Sequence, residues 1–151
     1  MDRRKKFDDE LFKQNDKLAR EVGKAYWKSK GKTAIDNPDR YGPDLVVDGE
    51  FYCEMEIKRA WKGKEFKYRT CQIPHRKAKY LDKDKYDKPT HFLILNNEQD
   101  YAFYITAEDV ASSPVVEVPN KYVPSGEMFF QVPLDKLNLV ELPKDVCQNN
   151  D

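Results

Sequence analysis

Cysteine and histidine are scarce in this chain: three cysteines (Cys53, Cys71, Cys147) and two histidines (His75, His91) among 151 residues. The cysteines form an odd count with no C-x-x-C pair, so neither a disulfide framework nor a structural zinc site is indicated, and all three read as free thiols. The histidines have no acidic or cysteine partner at ligand spacing. A surface role for His75 and a strand-end role for His91 follow. Only 6 glycines occur beside 13% aromatic residues, which excludes collagen-like, linker-like and wholly disordered chains, because those lack the apolar surface that offsets ordering entropy. No apolar run approaches the roughly 18–20 residues that cross a bilayer, and the opening MDRRKKFDDE has no apolar segment to serve as a signal peptide. A cytoplasmic protein with no membrane partner is the expectation. Neither G-x-x-x-x-G-K-[ST] nor G-x-G-x-x-G occurs, which argues against nucleotide hydrolysis and dinucleotide binding.

Charge is what the chain has in plenty, at 36% of residues, with 27 Lys and Arg balancing 27 Asp and Glu. The balance hides an asymmetry. Residues 58–86 hold eleven Lys and Arg against three acids, whereas residues 32–57 hold seven acids against two bases, and residues 96–151 hold ten acids against three bases. A charge run is ordinarily a solvated face, but a basic block directly beside an acidic cluster favours a phosphate-binding surface. The acidic last third would limit indiscriminate polyanion binding.

Periodicity gives the order of elements. Phe7, Leu11, Leu18, Val22 and Ala25 recur on one stripe, which predicts a long helix from about Phe7 to Lys28. Glu10, Gln14 and Glu21 lie along one edge of that stripe. Leu45-Val46-Val47, then Asp48-Gly49, then Phe51 to Lys58 read as a β-hairpin with a D-G turn. A strand around Phe66 to Gln72, a short helix from His75 to Asp82 after Pro74, and a buried strand His91 to Leu95 paired with Tyr101 to Ile105 come next. The last third reads as a helical turn near Ala107 to Ala111, a proline-punctuated loop (Pro114, Pro119, Pro124) and strands near Met128 to Val132 and Leu139 to Leu142. The whole reads as one domain over 1–151, with a core at about 7–105, an extension at about 106–143 and a frayed tail at 144–151.

The hairpin carries the chemistry. Alternation sends Phe51, Cys53, Met55 and Ile57 to one face and Glu54, Glu56 and Lys58 to the other, while antiparallel pairing folds Asp44 back beside the segment bearing Glu54 and Glu56. Carboxylates so close repel unless a cation lies between them, and hard oxygen ligands suit Mg²⁺ or Mn²⁺. Such an ion activates water and neutralises charge developing on a phosphodiester, with a lysine nearby to orient the water. That is nuclease chemistry. Glu54 reads as a surface or supporting carboxylate in preference to a ligand. Arg59, Lys62, Lys64, Arg69, Arg76, Lys77 and Lys79 would contact phosphates, which fix position without reading sequence.

At Pro43-Asp44 and Glu56-Ile57-Lys58, within RYGPDLVVDGEFYCEMEIKRAW, the chain resembles the PD-(D/E)xK nucleases, and the block CQIPHRKAKYL is similar to the segment after the lysine strand in small phage and prokaryotic members. The resemblance implies Asp44 and Glu56 as ligands of Mg²⁺ or Mn²⁺, the main-chain carbonyl of Ile57 as a third, and Lys58 as the lysine that assists the attacking water. It also implies an α/β restriction-endonuclease-like core over roughly Phe7 to Asn96: a helix, a three-stranded meander, a second helix and a further strand, forming a central mixed β-sheet flanked by helices, with an extra C-terminal strand and loop region. Members often bring an acid from the first helix near the metal, which points to Glu21 first and Glu10 second. Gln72 and Tyr80 are spaced more widely than the glutamine and tyrosine of some members, so neither is carried over. The expectation is a Mg²⁺-dependent nuclease of a phage-infected or prokaryotic cell, structure-selective or weakly specific toward DNA, with a homodimer as analogy. The alternatives are a catalytically inactive module of the same fold that binds DNA or assists assembly, and an interaction protein whose acidic tail engages a basic partner.

Overall fold

The computed structural model describes residues 17–119 and 126–143. Helix α1 is described over residues 17–29 and ends at Gly31, whose φ of 76° suits the left-handed position after a helix. The part of the expected helix before residue 17, Glu10 and Gln14 included, lies outside the described residues, as does Cys147.

Six strands form a mixed sheet in the order β1-β2-β3-β5-β6-β9: β1 Ala34–Asp36, β2 Leu45–Val47, β3 Phe51–Ile57, β5 Thr90–Leu95, β6 Tyr101–Ile105 and β9 Asn138–Glu141. Strands β3 and β5 run parallel and every other neighbouring pair is antiparallel. The β2–β3 turn is the one the D-G pair calls for. Asp48 and Gly49 take φ of 52° and 66°, and Glu50 N–H closes on Val47 O at 2.9 Å. A second, three-stranded sheet has the order β4-β8-β7, with β4 Thr70–Pro74, β7 Val115–Val118 and β8 Glu127–Pro133.

The large sheet is covered on both faces. On one, Ala19, Val22, Tyr26 and Trp27 of α1 pack on Leu45, Val47, Cys53, Met55, Leu93 and Leu95. The approach is close: a Cβ added at Gly23 would lie 2.8 Å from Met55 Cε. On the other face, Phe92, Ile94, Phe103 and Ile105 meet Cys71, Ile73, Phe130 and Val132 of the small sheet, with Val110 of helix α2 Ala107–Ala111 and Trp61 closing the layer. Burial on both faces explains why β5 reads as a continuous apolar run.

Several sequence expectations are corrected. The strand expected at Phe66 to Gln72 is β4, Thr70–Pro74, because pairing with β8 begins at Thr70↔Pro133. Phe66 instead lies edge-on to Trp61 and Phe103, at 5.4 and 5.0 Å. The second helix is a 3-10 helix, His75–Leu81, and Pro74 is the last residue of β4 instead of its first turn. Strand β7 falls within the proline-punctuated loop of the sequence reading, and β1 lies where that reading has no element. Among the described residues, the second face of the large sheet is covered chiefly by the small sheet in place of a flanking helix, since β8 inserts between β4 and β7. The C-terminal segment is therefore woven into both sheets. No helix among the described residues is long and apolar enough to cross a membrane.

Candidate active site

The β2–β3 register pairs Leu45 with Cys53, so the next step along β2 sets Asp44 opposite Glu54. Two hydrogen bonds hold them there: Asp44 N–H donates to Glu54 Oε1 at 3.1 Å, and Asp44 Oδ2 accepts Met55 N–H at 2.9 Å. Glu54 is buried at 6% exposure, and its Oε2 lies 3.2 Å from the Nζ of Lys77, itself buried on the 3-10 helix. Burial pushes the Glu54 carboxyl above the usual carboxylate range, the Asp44 charge adds to that shift, and the Lys77 ammonium opposes it. A buried charge of this kind persists only with a partner, and Lys77 is that partner.

Glu56 follows two residues on, on the same face. Its Oε1 lies 3.7 Å from Lys58 Nζ, while its Oε2 is buried with no hydrogen-bond partner. Lys58 also donates to the main-chain carbonyl of Gln72 on β4.

A cavity of about 350 Å³ opens against these groups, lined by Asp44, Glu54, Glu56, Ile57, Arg59, Arg76, Lys77, Lys79 and Tyr80 among others. Of the residues singled out from sequence, it brings together Asp44, Glu54, Glu56, Ile57, Arg59, Arg76, Lys77 and Lys79. Lys58 is not part of that lining; it sits beside Glu56 under β4. Lys62, Lys64 and Arg69 are exposed on the loop between β3 and β4 and line no part of the cavity. Lys64 Nζ lies 5.8 Å from the Tyr101 ring. Arg76 reaches Glu127 at 3.5 Å. Glu21 is engaged by Lys24 at 3.2 Å, and it is Ala19 of α1 that reaches the cavity. Tyr80, set aside in the sequence, lines the wall. Burial, then the charges of Glu54 and Asp44, push its phenol up to about 12, so it remains a protonated donor at neutral pH. Lys77 and Tyr80 stand three apart on a 3-10 helix, where such residues eclipse, which is the local signal that they share a face.

The two thiols that neighbour the site are inert. Burial pushes both Cys53 and Cys71 up to about 12. His75 is exposed with its ring 5.0 Å from that of Phe130, and His91 Nδ1 accepts Ala107 N–H at 2.9 Å.

Among the described residues, no group of three or more His, Cys, Asp or Glu side chains is gathered as a metal cage. Mg²⁺ does not require one, since it is ordinarily held by one or two carboxylates and completes its shell with water and phosphate oxygen. Asp44 and Glu56 in one cavity, with the Glu56 Oε2 lacking any hydrogen-bond partner, fit that mode of binding. No protein-family model, curated protein or solved structure matches the chain.

Proposed function

We propose that the protein is a Mg²⁺- or Mn²⁺-dependent nuclease that hydrolyses phosphodiester bonds of DNA. One observation carries this reading: three carboxylates, Asp44, Glu54 and Glu56, share a single open cavity with four cationic side chains, Arg59, Arg76, Lys77 and Lys79. An acidic floor suits a divalent cation, and a basic rim suits the phosphates on either side of a scissile bond. The order of a helix, the β1-β2-β3 meander and a later strand parallel to β3 agrees with the restriction-endonuclease-like core that the Asp44 and Glu56-Ile57-Lys58 motif implies.

In this reading Asp44 and Glu56 hold the cation, with the main-chain oxygen of Ile57 as a third donor. When bound, the ion would supply Lewis acidity toward the phosphate and a more acidic water. Arg59, Arg76 and Lys79 orient the strand by its phosphates. Lys77 compensates Glu54, so that the carboxylate beside Asp44 is held in place without adding its full charge to the site. Lys58 pairs with Glu56 and, once released from the Gln72 carbonyl, is the amine that would assist the attacking water.

The test is incubation of supercoiled plasmid with Mg²⁺, Mn²⁺ or chelator, for the wild type and for Asp44→Asn, Glu56→Gln and Lys58→Ala. Nicking that needs the metal, and that falls in the first two variants beyond the roughly 10–100-fold cost of losing a mere supporting partner, is the expected result. The absence of cleavage with either ion would overturn the reading. A second reading, a DNA-binding or assembly module of the same fold that does not cut, is favoured by the engagement of Glu54 with Lys77 and of Lys58 with Gln72. It predicts retained DNA binding with intact plasmid.

A further inference from the structure

Tyr52, Glu54 and Glu56 succeed one another on one face of β3, so a tyrosine stands about 13 Å along the strand from Glu56 at the usual rise. Tyr52 is not isolated. Its ring meets Tyr86 edge-on at 5.7 Å, and Tyr86 meets Tyr80 in the same way at 5.9 Å. Tyr80 lines the cavity. The Tyr86 hydroxyl reaches the main-chain oxygen of Tyr41 at 3.5 Å, which adds a ring that is 71% exposed. Each ring has a cation over it: Lys79 on Tyr80 at 5.1 Å, Lys85 on Tyr86 at 6.0 Å, Lys88 on Tyr52 at 5.4 Å and Arg40 on Tyr41 at 5.0 Å.

We propose that this row of tyrosines, leading away from the carboxylates, binds an unpaired single-stranded DNA segment, so that the substrate of the site carries a single-stranded flank. The inference rests on the nuclease reading for its place in a reaction, though not for the binding itself.

The physical case is an exchange. A base stacked on an aromatic ring gains more than an exposed ammonium gains by resting over that ring. Entry of a base therefore displaces the lysine or arginine at small cost. Only unpaired bases offer a free face to a protein ring, because paired bases already stack on one another. Tyr86, nearly buried, is the spacer that keeps Tyr52 and Tyr80 at fixed angles of 77° and 67° to its own ring. Tyr41 and Tyr80 are the platforms, at the open end and at the cavity wall.

Charge does not explain the surface by itself. Asp39, Asp82, Asp84 and Asp87 are interleaved with the cations, and three of them are tied down locally: Asp39 accepts Tyr41 N–H at 3.0 Å, Asp82 accepts Asp84 N–H at 2.9 Å, and Asp87 accepts the Tyr52 hydroxyl at 3.0 Å. Near balance of charge predicts that binding here leans on stacking, with a shallow dependence on salt, unlike the steep dependence of backbone-only binding to duplex.

The experiment is fluorescence anisotropy in chelator, where no cleavage occurs, with labelled dT12, a blunt 12-base-pair duplex and rU12. The wild type is compared with Tyr41→Ala, Tyr80→Leu and the aromatic replacements Tyr41→Phe and Tyr80→Phe, each checked for an unchanged melting temperature. dT12 is expected to bind at least about tenfold more tightly than the duplex; the non-aromatic variants lose about tenfold each, and the phenylalanine variants keep their affinity. Equal binding of duplex and dT12, or non-aromatic variants that bind dT12 as the wild type does, would overturn the proposal. Tighter binding of rU12 would overturn the choice of DNA. Failure of the nuclease reading shows separately, as intact substrate in Mg²⁺ and Mn²⁺ whatever the anisotropy.

Discussion

On the face of the large sheet that α1 covers, β3 adds Cys53 and Met55 to an unbroken apolar layer with Leu45, Leu93 and Leu95. On the opposite face the same strand presents Tyr52, Glu54 and Glu56, while its neighbour β5 presents Phe92 and Ile94, both fully buried. The small sheet, with Val110 and Trp61, covers Phe92, Ile94, Phe103 and Ile105 of β5 and β6, and beside Glu54 and Glu56 of β3 a cavity is left. The charged stretch sits where that cover ends. The two faces therefore keep their residues by different physics: the first by area removed from water, the second by pairing each buried charge with an opposite one.

Breaking the pair on the charged face should have the largest effect on stability. Lys77→Met leaves the Glu54 carboxyl buried without its partner and should destabilise by about 3–5 kcal/mol at pH 9, and by less at pH 6, where the carboxyl takes up a proton, whereas the double replacement Lys77→Met, Glu54→Leu should recover most of that loss. Denaturant titration of the two variants decides it. A double variant no more stable than the single would mean that Glu54 is needed by the fold for some other reason.

The apolar face should respond differently. Met55→Ala removes buried volume against Gly23 and Leu45 and should cost about 2–5 kcal/mol in the same titration. Adding Gly23→Ala to it should cost less than Gly23→Ala alone, because the methyl would enter the space that Met55 leaves.

The smallest effect concerns His91, at the rim of the apolar face beside Phe51 and Tyr104. Burial holds its pKa below the ordinary 6.5, and its Nδ1 accepts the Ala107 N–H, which a protonated ring cannot do. The contribution to stability is full above the unfolded value near 6.5 and is lost as pH falls through the lower folded value. Melting temperatures of the wild type and His91→Gln between pH 7.5 and 5 should converge on acidification; parallel curves would show that His91 does not titrate with unfolding.

Much of this was legible in local sequence. The alternation of β3 placed Glu54 and Glu56 on one side, the D-G pair closed the turn, and Asp44 came back beside them, all within fifteen residues of chain. Lys77 and Tyr80 were not legible as wall residues, because their position depends on β4 pairing with β8, a contact between segments roughly sixty residues apart. Lys58 shows the converse. Its place in the motif is plain, yet its amine engages the Gln72 carbonyl, a group that β4 brings in from outside the motif. Glu54 was read as a surface or supporting carboxylate, and only the overhead 3-10 helix makes it the most buried acid of the site.

Hydrophobic alternation and turn chemistry act between neighbours in the chain, so they set which β3 residues share a face and where the hairpin turns. Which of those faces would be sealed and which left open is a matter of long-range pairing. The insertion of β8 between β4 and β7, and the seating of the 3-10 helix over Glu54, decided it in the tertiary structure alone.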